Sequence, residues 1–227
     1  MVLTPEKKRK IGLLGGTFDP VHIGHLAVAD HVLHAIGLDA VWFIPAAFPP
    51  HKEGHADGRA ITDFSHRLKM LQLAIAGKNH FAVSDIESKR NSPSYSIDTV
   101  RILIEQTGAR TELFFILGAD AFLEIDTWKR YIELPTLVSF VIISRPTYSP
   151  ARVGEVIRRN YPDYTCDPAS GIWTSSASKG SFIVSRMAPA AVSSTEIRQR
   201  VKEGKDITGL VPSAIADYIE KERLYRS

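Results

Sequence analysis

Residues 15–26 read GGTFDPVHIGHL, and this stretch joins a short apolar run to a segment with helical periodicity. The run before it, residues 11–14, has the composition of a buried strand, while residues 24–36 repeat apolar side chains at helical spacing. A glycine pair between a strand and a helix permits a tight turn and lets a phosphate approach main-chain N–H groups. The stretch therefore predicts a phosphate-binding loop after the first strand, formed by Gly15, Gly16, Thr17 and Phe18.

Two histidines, His22 and His25, follow the glycines at a spacing of three residues. In the first turn of a helix this spacing places both imidazoles on one side, where they can donate to triphosphate oxygens and stabilise charge that develops on the α-phosphate. The same pair could supply half of a zinc site, or could only cap and pack the helix. No third zinc ligand is evident nearby in the sequence, and this favours the phosphate interpretation.

Outward from this motif, strand-like and helix-like segments alternate along the chain. Strands are predicted at residues 11–14, 41–44, 81–84, 113–117, 137–143 and 182–185, and helices at 24–36, 63–77, 96–106, 153–160, 193–203 and 213–222. This alternation predicts an α/β fold, with an open parallel sheet, helices on both faces and a small helical C-terminal part. Residues 163–180, which are rich in Ser, Thr, Gly and Pro, are interpreted as a loop.

Length and composition predict one globular domain over residues 1–227, with a basic N-terminal arm at 1–9 and C-terminal helices at 193–227. The net charge of +3 suits a small anionic ligand and does not require a nucleic acid. The basic run at residues 7–10 could bind nucleic acid, but a solvated arm is the more common role for such a run. A single cysteine, Cys166, and the lack of a long apolar run predict a cytoplasmic protein without a disulfide or a membrane span.

A second motif, SSTEIR at residues 193–198, also lies at a predicted helix start. A serine cap with Glu196 in the first turn would explain part of it without any function. A helix start that combines Ser194, Thr195 and Arg198 nevertheless has the donors of a second phosphate site.

The stretch GTFDPVHIGH resembles the H-x-G-H signature of the nucleotidyltransferase superfamily, which has a Rossmann-like fold and shares the signature with class I aminoacyl-tRNA synthetases. Residues 193–198 resemble the S-S-T-x-I-R motif of bacterial nicotinate-nucleotide adenylyltransferases, whereas a synthetase would show a lysine-rich loop and a tRNA-binding domain. Further segments resemble the same family: PPHK at 49–52, SYSIDT at 94–99, and LGAD at 117–120 followed by Trp128.

The resemblance implies transfer of AMP from ATP to nicotinic acid mononucleotide in NAD biosynthesis, with Mg²⁺ held mainly by the ATP phosphates and not by a set of protein ligands. It implies that His22 and His25 act on the triphosphate and the transition state. Thr17, Ser194, Thr195 and Arg198 would hold the leaving phosphates, and Lys52 would close on them from a mobile loop.

The resemblance also implies a set of contacts to the two nucleotides. Asp120 would hold ribose hydroxyls, and Trp128 would stack on the pyridine ring unless it is a core residue. Main-chain N–H groups near Tyr95, Ser96 and Lys129 would hold the acid, although the family commonly has an aromatic residue where Lys129 stands. His51 would approach anionic phosphates from the same loop as Lys52, and Arg145 would bind the acceptor phosphate, with a surface ion pair as the alternative for Arg145.

Several other functions are compatible with the fold. A related nucleotidyltransferase could use nicotinamide mononucleotide or another phosphorylated acceptor, and a nucleotide sensor could have the same fold without catalysis. A sensor would be expected to have lost a histidine or the arginine, yet His22, His25 and Arg198 are all present. We expect ATP and nicotinic acid mononucleotide as partners, no nucleic acid and no membrane, with a homo-oligomer left open.

Overall fold

The computed structural model describes residues 8–49, 60–90, 92–144, 150–187 and 192–226. Within these residues one sheet has eight strands in the order β3-β2-β1-β4-β5-β8-β7-β6. The strands are β1 (Arg9–Gly16), β2 (Ala40–Pro45), β3 (Phe81–Val83), β4 (Thr111–Gly118), β5 (Ser139–Ser144), β6 (Thr165–Cys166), β7 (Ile172–Thr174) and β8 (Phe182–Arg186).

Pairing is parallel from β3 through β8, and it becomes antiparallel where β7 joins β8 and β6 joins β7. The described helices are α1 (Ile23–Ile36), α2 (Phe64–Ala74), α3 (Ser96–Thr107), α4 (Ala119–Leu123), α5 (Leu134–Leu137), α6 (Pro150–Asn160), α7 (Ser194–Lys202) and α8 (Ser213–Lys221). Two 3₁₀ turns cover Ile86–Lys89 and Ile125–Thr127.

The helices cover both faces of the sheet, as the alternation of the sequence predicts. One buried cluster packs α3, α4 and α6 on the face to which Leu13 of β1 points, and the other packs α1, α2, α7 and α8 on the face of Leu14. Consecutive strand residues point to opposite faces, so β1 contributes to both cores. The predicted α/β fold with a mainly parallel sheet is confirmed.

Chain direction places a crevice at the carboxyl end of β1. From β1 the sheet continues through β2 and β3 on one side, and through β4 and β5 on the other. Ligands of open α/β sheets bind where the strand order reverses in this way, because loops on the two sides diverge and leave a cleft. Gly15 and Gly16, which were predicted to form the turn after the first strand, are instead the last two residues of β1 and pair with β2. The glycine loop, defined here as residues 15–21, begins with them and lies at this position.

The interpretation of residues 163–180 as a loop is wrong in part, because β6 and β7 form an antiparallel hairpin there. These strands have two and three residues, which is too short for the alternation of side chains to be recognised in the sequence. Several boundaries also differ from prediction, and at two of them a residue belongs to another element. Arg9, assigned to the N-terminal arm, is the first residue of β1, and Leu137, assigned to a strand, ends α5.

Candidate active site

A cavity of about 370 Å³ opens at the carboxyl ends of β1 and β4. Its wall combines the glycine loop and the start of α1 with the starts of α3 and α4, so it joins segments from both sides of the strand-order reversal. The predicted site residues that line it are Gly15, Gly16, Thr17, His22, His25, Ser96, Asp120 and Trp128.

The two imidazoles lie together at the start of α1. Their ring centroids are 3.8 Å apart with an angle of 27° between the planes, and the main-chain N–H of His22 donates to Nδ1 of His25 at 3.3 Å. The ring of Phe18 lies edge-on to His25 with a centroid distance of 4.9 Å. Phe18 is only 2% exposed, so its side chain supports His25 from the core and does not line the cavity.

Gly24, between the two histidines, leaves room for the ring of His22. A Cβ atom at this position would lie 3.0 Å from both Cε1 and Nδ1 of His22 and 3.2 Å from Cγ1 of Val192. These distances are shorter than ordinary carbon contacts, so a larger residue would displace the ring. The glycine of the H-x-G-H motif therefore has a steric reason within this structure.

The second motif packs directly against the glycine loop. Ser193 caps α7 by accepting from the N–H of Glu196 at 3.1 Å, while the hydroxyl of Ser194 donates to the carbonyl of Pro20 at 2.8 Å. Nη1 of Arg198 donates to the carbonyl of Asp19 at 2.8 Å. The start of α7 is thus hydrogen-bonded to the loop that leads into α1, about 170 residues earlier in the chain.

Arg198 lies behind the loop and not on the cavity surface. It is 3% exposed, and its Nη2 donates to the hydroxyl of Thr195 at 3.2 Å. Ser194, Thr195 and Arg198 are absent from the cavity wall within the described residues. The second motif therefore supports the loop and adds positive charge beneath it.

Arg67 is a site residue that the sequence prediction missed. It is 2% exposed, and its Nη1 donates to the carbonyls of Thr17 and Ala46, each at 2.8 Å. Burial lowers the pKa of this guanidinium, and the nearby carboxylate of Asp19 partly offsets that shift. A sequence signal exists, because Arg67 lies four residues before Leu71 on the buried face of α2, where an unpaired charge would be costly.

Trp128 and Lys129, which were predicted to contact the acceptor, lie next to the start of α3. Trp128 is half-buried, with its ring edge-on to Phe115 at a centroid distance of 5.8 Å, and it lines both the main cavity and a neighbouring cavity of about 440 Å³. Nζ of Lys129 lies 3.0 Å from Oδ2 of Asp98 and 4.5 Å from the ring centre of Tyr95. Tyr95 and Lys129 line the neighbouring cavity.

Ser94 connects the start of α3 to the chain that follows β2. Its hydroxyl oxygen accepts from the N–H groups of Ala47 and Phe48 at 3.1 and 3.0 Å, and its own N–H donates to the carbonyl of Phe48 at 2.9 Å. Ser94 also lines the main cavity, although the sequence prediction did not assign it a role.

Asp120 is exposed at the start of α4, where a carboxylate can reach the cavity. His51, Lys52 and Arg145, together with residues 1–7 of the basic arm, lie outside the described residues. Across the described ranges, no group of three or more His, Cys, Asp or Glu side chains is arranged to hold a metal ion. Over the same part of the chain, every helix is too short or too polar to cross a bilayer.

Comparison with known proteins agrees with this geometry. Residues 13–200 match the family model described as cytidylyltransferase-like. A relative from Desulfitobacterium hafniense strain Y51, named a probable nicotinate-nucleotide adenylyltransferase, is 40% identical over 96% of this chain and 96% of its own. A relative of the same name from Thermoanaerobacter is 39% identical over 97% of this chain and 96% of its own.

The chain belongs to the nicotinate-nucleotide adenylyltransferase family. Among solved structures, nicotinic acid mononucleotide adenylyltransferase of Plasmodium falciparum complexed with NaAD has a TM-score of 0.68 and 22% identity, with 96% of this chain and 97% of that chain covered. This likeness shows that the adenylyltransferase fold extends over nearly the whole chain. The family resemblance predicted from the two phosphate motifs is confirmed.

Proposed function

We propose that this protein transfers the adenylyl group of ATP to nicotinic acid mononucleotide, producing nicotinic acid adenine dinucleotide and pyrophosphate. The observation that carries the proposal is the packing of the start of α7 against the loop that leads into α1. The imidazoles of α1 line the cavity, and Ser194 and Arg198 of α7 bind the main chain of the loop beside them. Family membership supports the same activity.

The ATP triphosphate would lie against the glycine loop and the start of α1. N–H groups at a helix start carry partial positive charge and lack partners within the helix, so they favour phosphate. The hydroxyl of Thr17 and the imidazoles of His22 and His25 would donate to phosphate oxygens. The buried guanidiniums of Arg67 and Arg198 raise the positive potential of the loop from behind.

The reaction then requires positioning and charge stabilisation, and it requires no covalent intermediate. A phosphate oxygen of the acceptor attacks the α-phosphorus of ATP, a new P–O bond forms, and the bond from the α-phosphorus to the bridging oxygen breaks as pyrophosphate leaves. The attacking phosphate is anionic at neutral pH, so no general base is needed. His22 and His25 would stabilise the additional negative charge on the α-phosphate in the transition state.

The acceptor would occupy the side of the cavity formed by α3, α4 and the residues that follow. Main-chain N–H groups at Ser96 and Lys129 would hold the acid group, and the ring of Trp128 offers a stacking surface for pyridine. Asp120 would accept from ribose hydroxyls. We assign His51, Lys52 and Arg145, outside the described residues, to the phosphates on the strength of the family resemblance.

Mg²⁺ is the metal that we propose for this reaction. It prefers oxygen ligands and keeps several waters, so it needs few protein ligands when ATP supplies phosphate oxygens. The cavity can accommodate such an ion beside the phosphates, since the exposed carboxylate of Asp120 lines it. When bound, Mg²⁺ would neutralise charge on the triphosphate.

The test is pyrophosphate release from ATP and Mg²⁺ with nicotinic acid mononucleotide, and in parallel with nicotinamide mononucleotide and with phosphopantetheine. We expect turnover with the acid mononucleotide and a much lower kcat/KM with the other two acceptors. Preferential use of nicotinamide mononucleotide or phosphopantetheine would replace the acceptor in this proposal. Pyrophosphate release with none of the three would refute the proposed function.

A further inference from the structure

A buried carboxylate, Asp19, connects the glycine loop to the last residues of the chain. The hydroxyl of Tyr225 donates to Oδ1 of Asp19 at 2.5 Å, and the N–H of Thr62 donates to Oδ2 at 2.9 Å. Asp19 is 1% exposed and Tyr225 is 9% exposed, so both partners of the first bond are shielded from water. A charge-assisted hydrogen bond of this kind is stronger than one between neutral groups.

The main chain of the same loop is held by two buried arginines. Arg67 donates to the carbonyl of Thr17, and Arg198 donates to the carbonyl of Asp19, both at 2.8 Å. Residues 17–22 have no strand or helix ladder of their own. Their position therefore depends on contacts from α2, α7 and the C-terminus.

We propose that Tyr225 is a positioning residue for ATP binding and adenylyl transfer, which acts by holding Asp19 and, through it, the loop that carries Thr17 and leads into His22. The inference rests on the proposed function for its effect on turnover. Tyr225 contacts the loop although it is separated from Asp19 by 206 positions in the chain.

The effect should be selective for the ATP side of the cavity. Loss of the Tyr225 hydroxyl would remove a buried hydrogen bond that ties Asp19 to the C-terminus, and the loop, released from this contact, would shift. Such a shift moves the N-cap His22 and the hydroxyl of Thr17, both of which face the proposed triphosphate. Trp128 and Ser96, on the proposed acceptor side, line both the main cavity and the neighbouring one, whereas Asp19 and Tyr225 line neither of these two cavities.

The chain provides a matched control in Tyr218. Its hydroxyl bonds to Nδ1 of His66 at 2.9 Å and joins α8 to α2, so Tyr218→Phe also removes one hydrogen bond between the C-terminal part and the rest of the protein. That bond does not involve the glycine loop. A general loosening of the C-terminus would affect both variants, whereas a positioning role affects only Tyr225→Phe.

The experiment compares wild type, Tyr225→Phe and Tyr218→Phe by the Kd of α,β-methylene-ATP, the Kd of nicotinic acid mononucleotide, and kcat. For Tyr225→Phe we expect the Kd of the ATP analogue to rise roughly tenfold and kcat to fall by about tenfold or more. The Kd of nicotinic acid mononucleotide should stay within about twofold of wild type. All three values for Tyr218→Phe should stay within about twofold. Equal behaviour of the two variants, or equal loss of both ligands in Tyr225→Phe, would overturn the proposal.

A second variant keeps the test decisive if Tyr225→Phe does not fold. Asp19→Asn keeps the size of the side chain and one acceptor oxygen. We expect this variant, too, to lower the affinity for the ATP analogue and leave the affinity for nicotinic acid mononucleotide unchanged. Where both fold, the double variant should be no worse than Asp19→Asn alone, because the two residues act through one contact. Additive losses would refute that coupling. If wild type forms no dinucleotide, the proposed function fails, while the analogue affinities still decide the role of Tyr225.

Discussion

At the scale of single residues, the stacked imidazoles at the start of α1 are the groups on which catalysis should depend most. We predict that His25→Ala lowers kcat by about 10²–10³-fold, the usual cost of losing one donor to a transition-state charge. The fold should survive, because His25 is partly exposed, and the variant gives up ring contacts with Phe18 and His22 and the 3.3 Å hydrogen bond that Nδ1 accepts from the N–H of His22. Steady-state kinetics and a thermal melt check both statements.

The matched control is His34→Ala, since His34 lies in the last turn of the same helix and is exposed. It should retain wild-type turnover. A His25→Ala enzyme with turnover close to that of wild type would show that the imidazole does not stabilise the transition state.

Site residues could be predicted from the sequence where they belong to a local motif. They could not be predicted where their contacts in the site are with residues far away in the chain. His22, His25 and Asp120 line the cavity as their motifs suggest. Arg67 and Tyr225 carry no local signal of their partners, because each contacts the glycine loop across 50 or more positions of the chain. Only the three-dimensional fold brings those groups together.

At the scale of elements, the contact between α7 and the glycine loop can be separated from the stability of α7 itself. Ser193 caps the helix, whereas Ser194 bonds the carbonyl of Pro20. We predict that Ser193→Ala and Ser194→Ala each lower the free energy of unfolding by about 1 kcal/mol. Only Ser194→Ala should also lower kcat, by roughly tenfold, because it alone removes a hydrogen bond between the helix and the loop.

Urea unfolding and steady-state kinetics on the two variants test this separation. The neighbouring serines act as controls for each other, since they differ in contact and not in composition. Equal turnover in both variants would mean that docking of α7 on the loop has no effect on the reaction.

The elements most accessible to prediction were those with long, consistent patterns. β4 has five consecutive buried residues, and a run of this kind indicates a strand covered on both faces. The hairpin of β6 and β7 was missed, because its side-chain alternation spans two or three residues and its turn is polar. The buried face of α2 consists of Arg67, Met70, Leu71 and Ala74, and the arginine can lie there because it donates hydrogen bonds to carbonyls.

At the scale of the whole molecule, the two cores on either face of the sheet share a feature that links their stability to pH. Tyr161 and Tyr164 are buried in the core that contains α3, α4 and α6, while Tyr225 is buried in the other core. Burial raises the pKa of each of these phenols, and in Tyr225 the charge of Asp19 raises it further. That residues 1–227 form one domain stays a prediction, and it requires both cores to unfold together.

These shifts predict loss of stability at alkaline pH. An unfolded tyrosine ionises near pH 10, whereas each buried phenol stays protonated in the folded protein. Above pH 10 the folded state therefore binds more protons than the unfolded state, and the free energy of unfolding falls as pH rises, by up to about 1.4 kcal/mol per pH unit for each such tyrosine. Below pH 10 both states are protonated, so the contribution of the phenols is constant there.

Urea titrations between pH 8 and pH 11, followed by tryptophan fluorescence and by circular dichroism, would measure this slope in wild type and in Tyr161→Phe. The variant loses a hydroxyl that donates to the carbonyl of Tyr131 at 3.2 Å, so a small constant difference is expected at pH 8. Above pH 10 its curve should fall less steeply than that of wild type, because one buried phenol no longer titrates. Parallel curves over the whole range would contradict the linkage, and transitions that differ between the two probes would contradict a single domain.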